Sequence, residues 1–523
     1  MSEAVHLYEG YVVRSTGDGI FALFGAPVAH EDHPQRALYA GLRLQELLKR
    51  YATRRREAGE LPIEARVGIN TGEVVAYAVE TDGKAEYRLV GHTANLAARM
   101  EALAPTGSIV ISEETRRLVE GYFQLKPLGP TIVKGVSVPI GVYEVTGLGQ
   151  LRTRLQRSAG LGLTKFVGRG REMEALKHAT EQARSGNGQI VAAMSEPGLG
   201  KSRLFFEFKA TSQSGWMVLE TSAVSHGKAS AYLPVLDLLH SYFDIAGEDD
   251  PRARRAKVTS HVLTLDRSFE GILPYLFSLL GIVEGEDPLE QMDGRIKQVR
   301  TLEAIKRILL RESLNRPLMV IFEDLHCIDE ATQELLNLLA DVIATAKILL
   351  LLSYRPEYSH RWNSKTYYTQ LRLDPLGKES AEEMLSALLG EGAELGALKR
   401  LIIEGGEGTP FFMEEMVRAL FEEGTLVRNG AVHLSRPLNA LRVPGTVQAI
   451  LAARIDRLPA DEKDLLQTLA TVGREFSLSL VRKIITKSAD YLDRMMKDLQ
   501  LAEFVYEQPA VGDVKYIFKH ALT

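Results

Sequence analysis

The chain has 523 residues with 63 Lys plus Arg against 68 Asp plus Glu, a formal charge of −5, so no global field draws it to nucleic acid or to an anionic membrane. Hydrophobic residues make up 45% and charged residues 25%, which excludes a disordered chain, and the length predicts roughly three or four domains. The single cysteine, Cys327, excludes an internal disulfide framework and fits a reducing compartment such as the cytoplasm.

At the N-terminus "MSEAVHLYEGYVV" has neither the basic stretch nor the small-residue cleavage site of a secretory signal, and it reads as the interior of a domain. Residues 1–146 alternate strand-like runs (Tyr11–Arg14, Ile20–Phe24, Ala65–Ile69, Ile109–Ile111) with helical patterns (Pro34–Tyr51, Asn95–Ala104, Glu113–Gly121). That is an α+β pattern, a short sheet with helices packed on it. Residues 147–165, "GLGQLRTRLQRSAGLGLTK", have no clear apolar period and predict a linker. Across 166–376, apolar runs at Gln189–Met194, Met217–Glu220, Leu318–Phe322 and Ile348–Leu352 are separated by amphipathic stretches, as in an α/β domain with a parallel sheet. The longest, "KILLLL" from Lys347, is far shorter than the about 18 residues that span a bilayer and reads as a buried strand. The sheet is predicted to end near "LRLDPL" at Leu371. From 377 the period is almost wholly helical, punctuated at Gly408–Pro410 and at Val443–Pro444, which separates residues 377–442 from 443–523. Residues 480–523 mix Lys and Arg with Asp and Glu and show no basic stripe, so nucleic-acid binding gains no support there either.

Chemistry concentrates in "MSEPGLGKSRL", which follows an apolar strand and precedes a helical pattern. Gly198 and Gly200 let the backbone curl so that its N–H groups face a phosphate, Lys201 supplies a point charge, and the Ser202 hydroxyl can ligate Mg²⁺ at the helix start. Glu196 and Arg203 flank this set as further ATP-binding candidates, and Ser195 stands where such loops usually begin with glycine. The second half of the site is predicted in "LMVIFEDLHCIDEAT", where Asp324 would hold magnesium and Glu323 would orient an attacking water. "LLLLSYRPEY" ends a further strand with Arg355, a candidate sensor of the γ-phosphate.

In order, "FVGRGREM", "SEPGLGKSRL", "FEDLHCIDEAT", "SYRPEY", "LRLDPL", "GTPFFMEEMVRAL" and "VPGTVQAILAARIDRLP" resemble the signal-transducing ATPases of the STAND class, relatives of AAA ATPases. The resemblance covers residues 166–523. It implies a nucleotide-binding domain (166–376), a helical subdomain (377–442) and a winged-helix-like subdomain from 443 onward, with ATP used as a conformational switch. Cys327 stands where that class often has tryptophan.

"RSTGDGIFALFGAPVAHEDHPQRA", "RVGINTGEV" and "EYRLVGHTANLAARMEALA" resemble the catalytic domain of class III adenylate/guanylate cyclases, which implies a ferredoxin-like core. In that family two aspartates bind two ions, Mg²⁺ or Mn²⁺, and Asp18 matches the second. The first belongs to an N-terminal strand expected upstream of Met1, so the resemblance reads the chain as a fragment whose own cyclase activity is absent. "YIFKHALT" at the other end reads as truncated too. Asn95 and Arg99, four apart on a helical face, match the residues that position the ribose and offset charge developing on the phosphate. In the family they act across a dimer interface, which implies a homodimer. Arg14 and Arg88 occupy the base-recognition positions, and guanidinium groups donate only, so neither can accept from the adenine amino group. They suit guanine O6 and N7, or a drifted pocket, and leave the substrate open between ATP and GTP. The layout resembles soluble adenylyl cyclases, in which ATP is converted to cyclic AMP and pyrophosphate. The alternative is an ATP-switched scaffold with a catalytically inactive, dimerising cyclase-like domain, and in either case a protein partner for the C-terminal region is expected but not identified.

Overall fold

The structure, a computed structural model, describes residues 1–523 except 18, 31, 82–83, 133–138, 150–154, 156–162, 224–231, 247–248, 283–288, 436–446, 449–451, 453–454, 457, 474, 486, 503, 509–513 and 519–523. By contacts the chain forms two compact units, residues 1–150 with 381–523, and residues 151–380.

In the first unit, α1 (Ser2–Leu7) leads into an antiparallel hairpin of β1 (Tyr11–Thr16) and β2 (Gly19–Leu23). Then follows α2 (His33–Glu57), which outruns the predicted Pro34–Tyr51 because Arg54, Arg55, Arg56 and Glu57 are good helix formers without apolar period. Next come β3 (Val67–Ile69), β4 (Val75–Thr81), β5 (Lys84–Val90) and α3 (His92–Leu103). The domain closes with β6 (Ile109–Ser112), α4 (Glu113–Val119), β7 (Phe123–Thr131) and β8 (Ile140–Leu148). The main sheet runs β3-β6-β8-β7, with β3 and β6 parallel and the other pairs antiparallel, while β4 and β5 form a separate hairpin. The sequence reading lacks β4, β5, β7 and β8. Strand β7 is missed for a clear reason: Pro127 and Pro130 argue against a strand, and they are tolerated here because β7 is an edge.

Strand β6 is buried throughout. Its alternate side chains point to opposite faces, so Ile109 and Ile111 share a cluster with Leu38 of α2, whereas Val110 joins Met100 of α3. The approach of α3 is set by Gly68: a Cβ there would lie 2.0 Å from the Glu101 nitrogen and 2.4 Å from the Ala97 oxygen. Only glycine lets the helix backbone sit directly on β3.

The second unit begins with α5 (Gly170–Arg184), β9 (Gln189–Met194), α6 (Lys201–Ser212) and β10 (Met217–Ser222). Among the described residues four α-helices follow, α7 (Leu233–Tyr242), α8 (Pro251–Leu265), α9 (Leu273–Leu279) and α10 (Gly294–Asn315). They are succeeded by β11 (Leu318–Glu323), α11 (Glu330–Val342), β12 (Ile348–Tyr354) and β13 (Tyr368–Arg372). All pairs in the sheet β10-β11-β12-β9-β13 are parallel. Every residue of β11 and β12 is buried, which is why both read as unbroken apolar runs. Val320, Phe322, Leu350 and Leu352 enter one core, and Met319, Ile321, Leu349 and Leu351 the other, with Leu204, Phe205 and Phe208 of α6. Because the strands are parallel, the loops leaving β9, β11 and β12 open at the same edge, where ligands bind in open α/β sheets.

Beyond the sheet lie α12 (Lys378–Leu389), α13 (Gly396–Gly406) and α14 (Pro410–Glu422). The expectation of almost wholly helical structure fails at β14 (Leu426–Asn429) and β15 (Ala431–Leu434), an antiparallel hairpin turning at Gly430 with φ +81°. The turn signal Asn429-Gly430 is present in the sequence. The chain ends with α15 (Ala460–Val472), β16 (Glu475–Ser477), α16 (Leu478–Ile484), α17 (Ala489–Leu501), β17 (Val505–Gln508) and β18 (Lys515–Phe518). Among the described residues, three helices over the antiparallel sheet β16-β18-β17, closed on Leu469, Phe476, Leu492 and Leu499, form the winged-helix-like arrangement. Among the described residues no helix is long and apolar enough to cross a membrane.

Candidate nucleotide sites

The loop between β9 and α6 turns through two left-handed glycines, Gly198 (φ +82°) and Gly200 (φ +96°). Ser195 is not among the residues with positive φ, so serine replaces the usual glycine without backbone strain. Its N–H donates to the Tyr354 carbonyl at 3.3 Å and its Oγ to the Glu196 carbonyl at 3.0 Å. Lys201 is buried, and its Nζ donates to the carbonyls of Ser195 at 2.8 Å and Glu196 at 3.1 Å and to Ser195 Oγ at 3.3 Å. The ammonium is thus curled into the mouth of the loop by backbone oxygens. Glu196 contributes through that carbonyl.

At the end of β11, Glu323 is 5% exposed. Burial, and then the charge of Asp324, push its carboxyl up to about 8, against a hydrogen bond from Ser202 and the charge of Lys201. Its Oε2 is buried with no hydrogen-bond partner. Asp324 is left-handed at φ +59°, and its N–H donates to Ser353 Oγ on β12 at 3.0 Å, so two strand ends are tied at the site. Ser202 and Asp324 are oxygen donors of the kind Mg²⁺ takes, so the residues present fit the ion. Tyr354 is in register with Met194, so Arg355 emerges level with Ser195 and is half-buried there. Arg203 differs from expectation. Its guanidinium donates to Glu207 Oε1 at 2.7 Å and to the Thr164 carbonyl at 2.6 Å and lies 5.8 Å from the centre of the Phe166 ring, so it holds the chain leading into the domain.

Two residues escaped the sequence reading. His326 is 3.9 Å from Asp324 Oδ1 and follows the acids in a single turn. Arg169, buried, donates to the Leu199 carbonyl inside the phosphate loop at 3.0 Å. Both lie within motif strings; Arg169 is singled out only by its tertiary contacts, His326 by its place in the turn after the acids.

In the N-terminal domain Asp18 lies outside the described residues; Thr16 and Gly19, on either side, are partners in the hairpin. Of the acids preceding it, Glu9 pairs with the buried Arg36 at 2.7 Å and with His30 at 3.4 Å. Arg14 is exposed on β1, in register with Phe21, and Arg88 sits on β5 opposite Tyr77. Asn95 and Arg99 are both exposed on α3. The start of that helix is fixed by Asn70, whose Nδ2 donates to the Thr93 carbonyl at 3.0 Å while its Oδ1 accepts from Ser112 Oγ at 2.6 Å. Asn70 therefore positions the helix that carries the pair, a role invisible in the sequence.

The family described as the adenylate and guanylate cyclase catalytic domain matches residues 1–147, and that described as the AAA ATPase domain matches residues 165–352. An uncharacterized protein of Rhizobium meliloti (strain 1021) is 27% identical over 534 residues, covering 99% of this chain and 50% of its own length. Adenylate cyclase 1 of the same organism is 30% identical over 149 residues, 28% of this chain and 22% of that protein. A crystal structure of a guanylate cyclase domain from Catenaria anguillulae in complex with GTP is 32% identical, covering 28% of this chain and 78% of that one, with a TM-score of 0.26. The chain spans half the length of the first of these relatives, 50%, and less of the second. Its two nucleotide-handling parts are thus an adenylate and guanylate cyclase catalytic domain at the N-terminus and an AAA ATPase domain following it in the same chain.

Proposed function

We propose that the whole protein is a cytoplasmic signalling enzyme in which the cyclase domain converts ATP to cyclic AMP and pyrophosphate under the control of a STAND-type ATPase switch. The observation that carries this reading is the exposed Asn95 and Arg99 face of α3, held by Gly68 and Asn70, in one chain with a formed phosphate loop. In the cyclase reaction the ribose 3′-oxygen attacks the α-phosphorus, its proton passes to solvent, and pyrophosphate leaves. Asn95 positions the ribose and Arg99 offsets the charge that grows on the phosphate. Their exposure supports action on a nucleotide held largely by a second copy, and hence a homodimer. Asp18 would hold Mg²⁺ or Mn²⁺, which supplies charge neutralisation at the triphosphate.

In the ATPase domain the loop amides cradle the phosphates, Lys201 exchanges its carbonyl partners for phosphate oxygens, and Arg355 meets the γ-phosphate. Glu323 Oε2, unpartnered, accepts the hydrogen bond of the attacking water. Ser202 and Asp324 would hold Mg²⁺, which supplies further charge neutralisation there. Domain boundaries at 146, 165, 376 and 442 accompany this reading, and a protein partner for the C-terminal region completes it.

The test is product analysis of the whole protein: labelled ATP with Mg²⁺ or Mn²⁺, followed by separation of ADP, cyclic AMP and substrate. Cyclic AMP lost in Asp18→Ala supports the cyclase reading, and ADP lost in Lys201→Ala supports the switch. The exposed Arg14 guanidinium favours a second reading, in which the front domain only dimerises; ADP alone, from labelled ATP and with no cyclic GMP from labelled GTP, would select it.

A further inference from the structure

Residues Thr164–Arg169, which lead into the ATPase sheet, are fastened at once to the phosphate loop and to the chain leaving the sheet. Arg169 Nη2 donates to the Leu199 carbonyl at 3.0 Å and to the Asp374 carbonyl at 2.8 Å, and Nη1 lies 3.4 Å from Glu172. Asp374 is two residues past β13, on the way to α12. Gly168, left-handed at φ +70°, lies against the same exit: a Cβ there would be 2.8 Å from Ser380 Oγ and 3.0 Å from Leu376 Cδ2. On the other side Arg203 of α6, two residues after Lys201, holds the Thr164 carbonyl and covers Phe166.

The Leu199–Gly200 peptide is planar, so its C=O and N–H turn as one body. Its carbonyl is held by Arg169, and its N–H belongs to the loop that faces the phosphates. A rotation of that peptide towards a bound phosphate therefore moves the acceptor of Arg169. The planar guanidinium fork then shifts its other acceptor, Asp374, because its donors have a fixed geometry.

We propose that Arg169 transmits occupancy of the phosphate loop to both ends of the ATPase domain: to Thr164–Arg169, which leads back to the cyclase domain, and to Asp374–Ser380, which leads into the helical subdomain. It is a positioning residue, and its role rests on the reading of the loop as an ATP site.

The test is hydrogen–deuterium exchange of the full chain with and without Mg-ATP at saturation, which is fixed for each protein by equilibrium titration. In the wild type, Mg-ATP is expected to slow exchange in 198–202, 164–169 and 374–380 together, the last two by about tenfold. In Arg169→Gln the loop amides are protected at saturation while 374–380 slows by less than about twofold. Arg169→Lys, which lacks the fork, is expected to show the same loss and covers a failure of the glutamine variant to fold. Retained tenfold protection of 374–380 in the variants overturns the proposal, as does a wild type whose loop is protected while 164–169 and 374–380 are unchanged. A wild type that the titration shows not to bind Mg-ATP overturns the ATP reading itself and the proposal with it.

Discussion

Replacing Glu323 by glutamine is expected to stabilise the nucleotide-free ATPase domain while stopping hydrolysis. The carboxyl is buried, its Oε2 has no partner, and burial beside Asp324 pushes it from the ordinary 4.5 up to about 8. A group whose folded pKa exceeds its unfolded value binds an extra proton in the folded state, so its contribution is complete below the unfolded pKa and is lost as pH rises through the folded one. At pH 7 the loss amounts to about 3 kcal/mol, and it continues to grow up to about pH 8. Glutamine keeps the shape and has no proton to lose. Both tryptophans, Trp216 and Trp362, lie in the 151–380 unit, so their fluorescence reports this domain. Thermal unfolding without nucleotide or magnesium should therefore show a glutamine variant higher by only about 2–3 °C at pH 5 and by about 6–12 °C at pH 7. Single-turnover ATP hydrolysis should fall by at least about 100-fold, because glutamine cannot ionise to the carboxylate that takes the attacking water's proton. A gap that does not widen with pH, or a variant less stable at pH 7, would refute the assignment of a buried neutral carboxyl.

Lys201→Ala removes a charge-assisted bond to phosphate, worth about 1.5–3 kcal/mol, so Mg-ATP affinity by equilibrium titration should drop at least about tenfold; unchanged affinity would sink the loop assignment. Gly68→Ala forces a Cβ to within 2.0 Å of the Glu101 nitrogen. The helix carrying Asn95 and Arg99 must then retreat, lowering stability by about 1–3 kcal/mol in chemical denaturation. In the whole protein, Arg99→Ala should cut cyclic nucleotide yield by about 100-fold or more, and a yield within twofold of wild type would refute its role.

Several things are legible from residues alone. The phosphate loop and the acids at β11 stand out because their chemistry needs particular residues a few positions apart on one strand-to-helix turn. The buried parallel strands announce themselves as apolar runs, since both of their faces are covered. Edge strand β7 and hairpin β14–β15 do not, because exposed strands with proline or charge carry little periodicity. The roles of Asn70, Arg169 and Arg203 depend on partners 23, 205 and 39 residues away along the chain. A side chain that acts by holding a distant carbonyl leaves no mark in local spacing, because the carbonyl belongs to every residue alike. Sequence by itself therefore determined which two nucleotide-related families the chain resembles, a cyclase catalytic domain and an AAA ATPase domain. The tertiary structure decided which arginine faces the loop, which carboxyl is buried with an unpartnered oxygen, and what holds the helix carrying Asn95 and Arg99 in place, because those depend on burial and on the meeting of remote backbone groups.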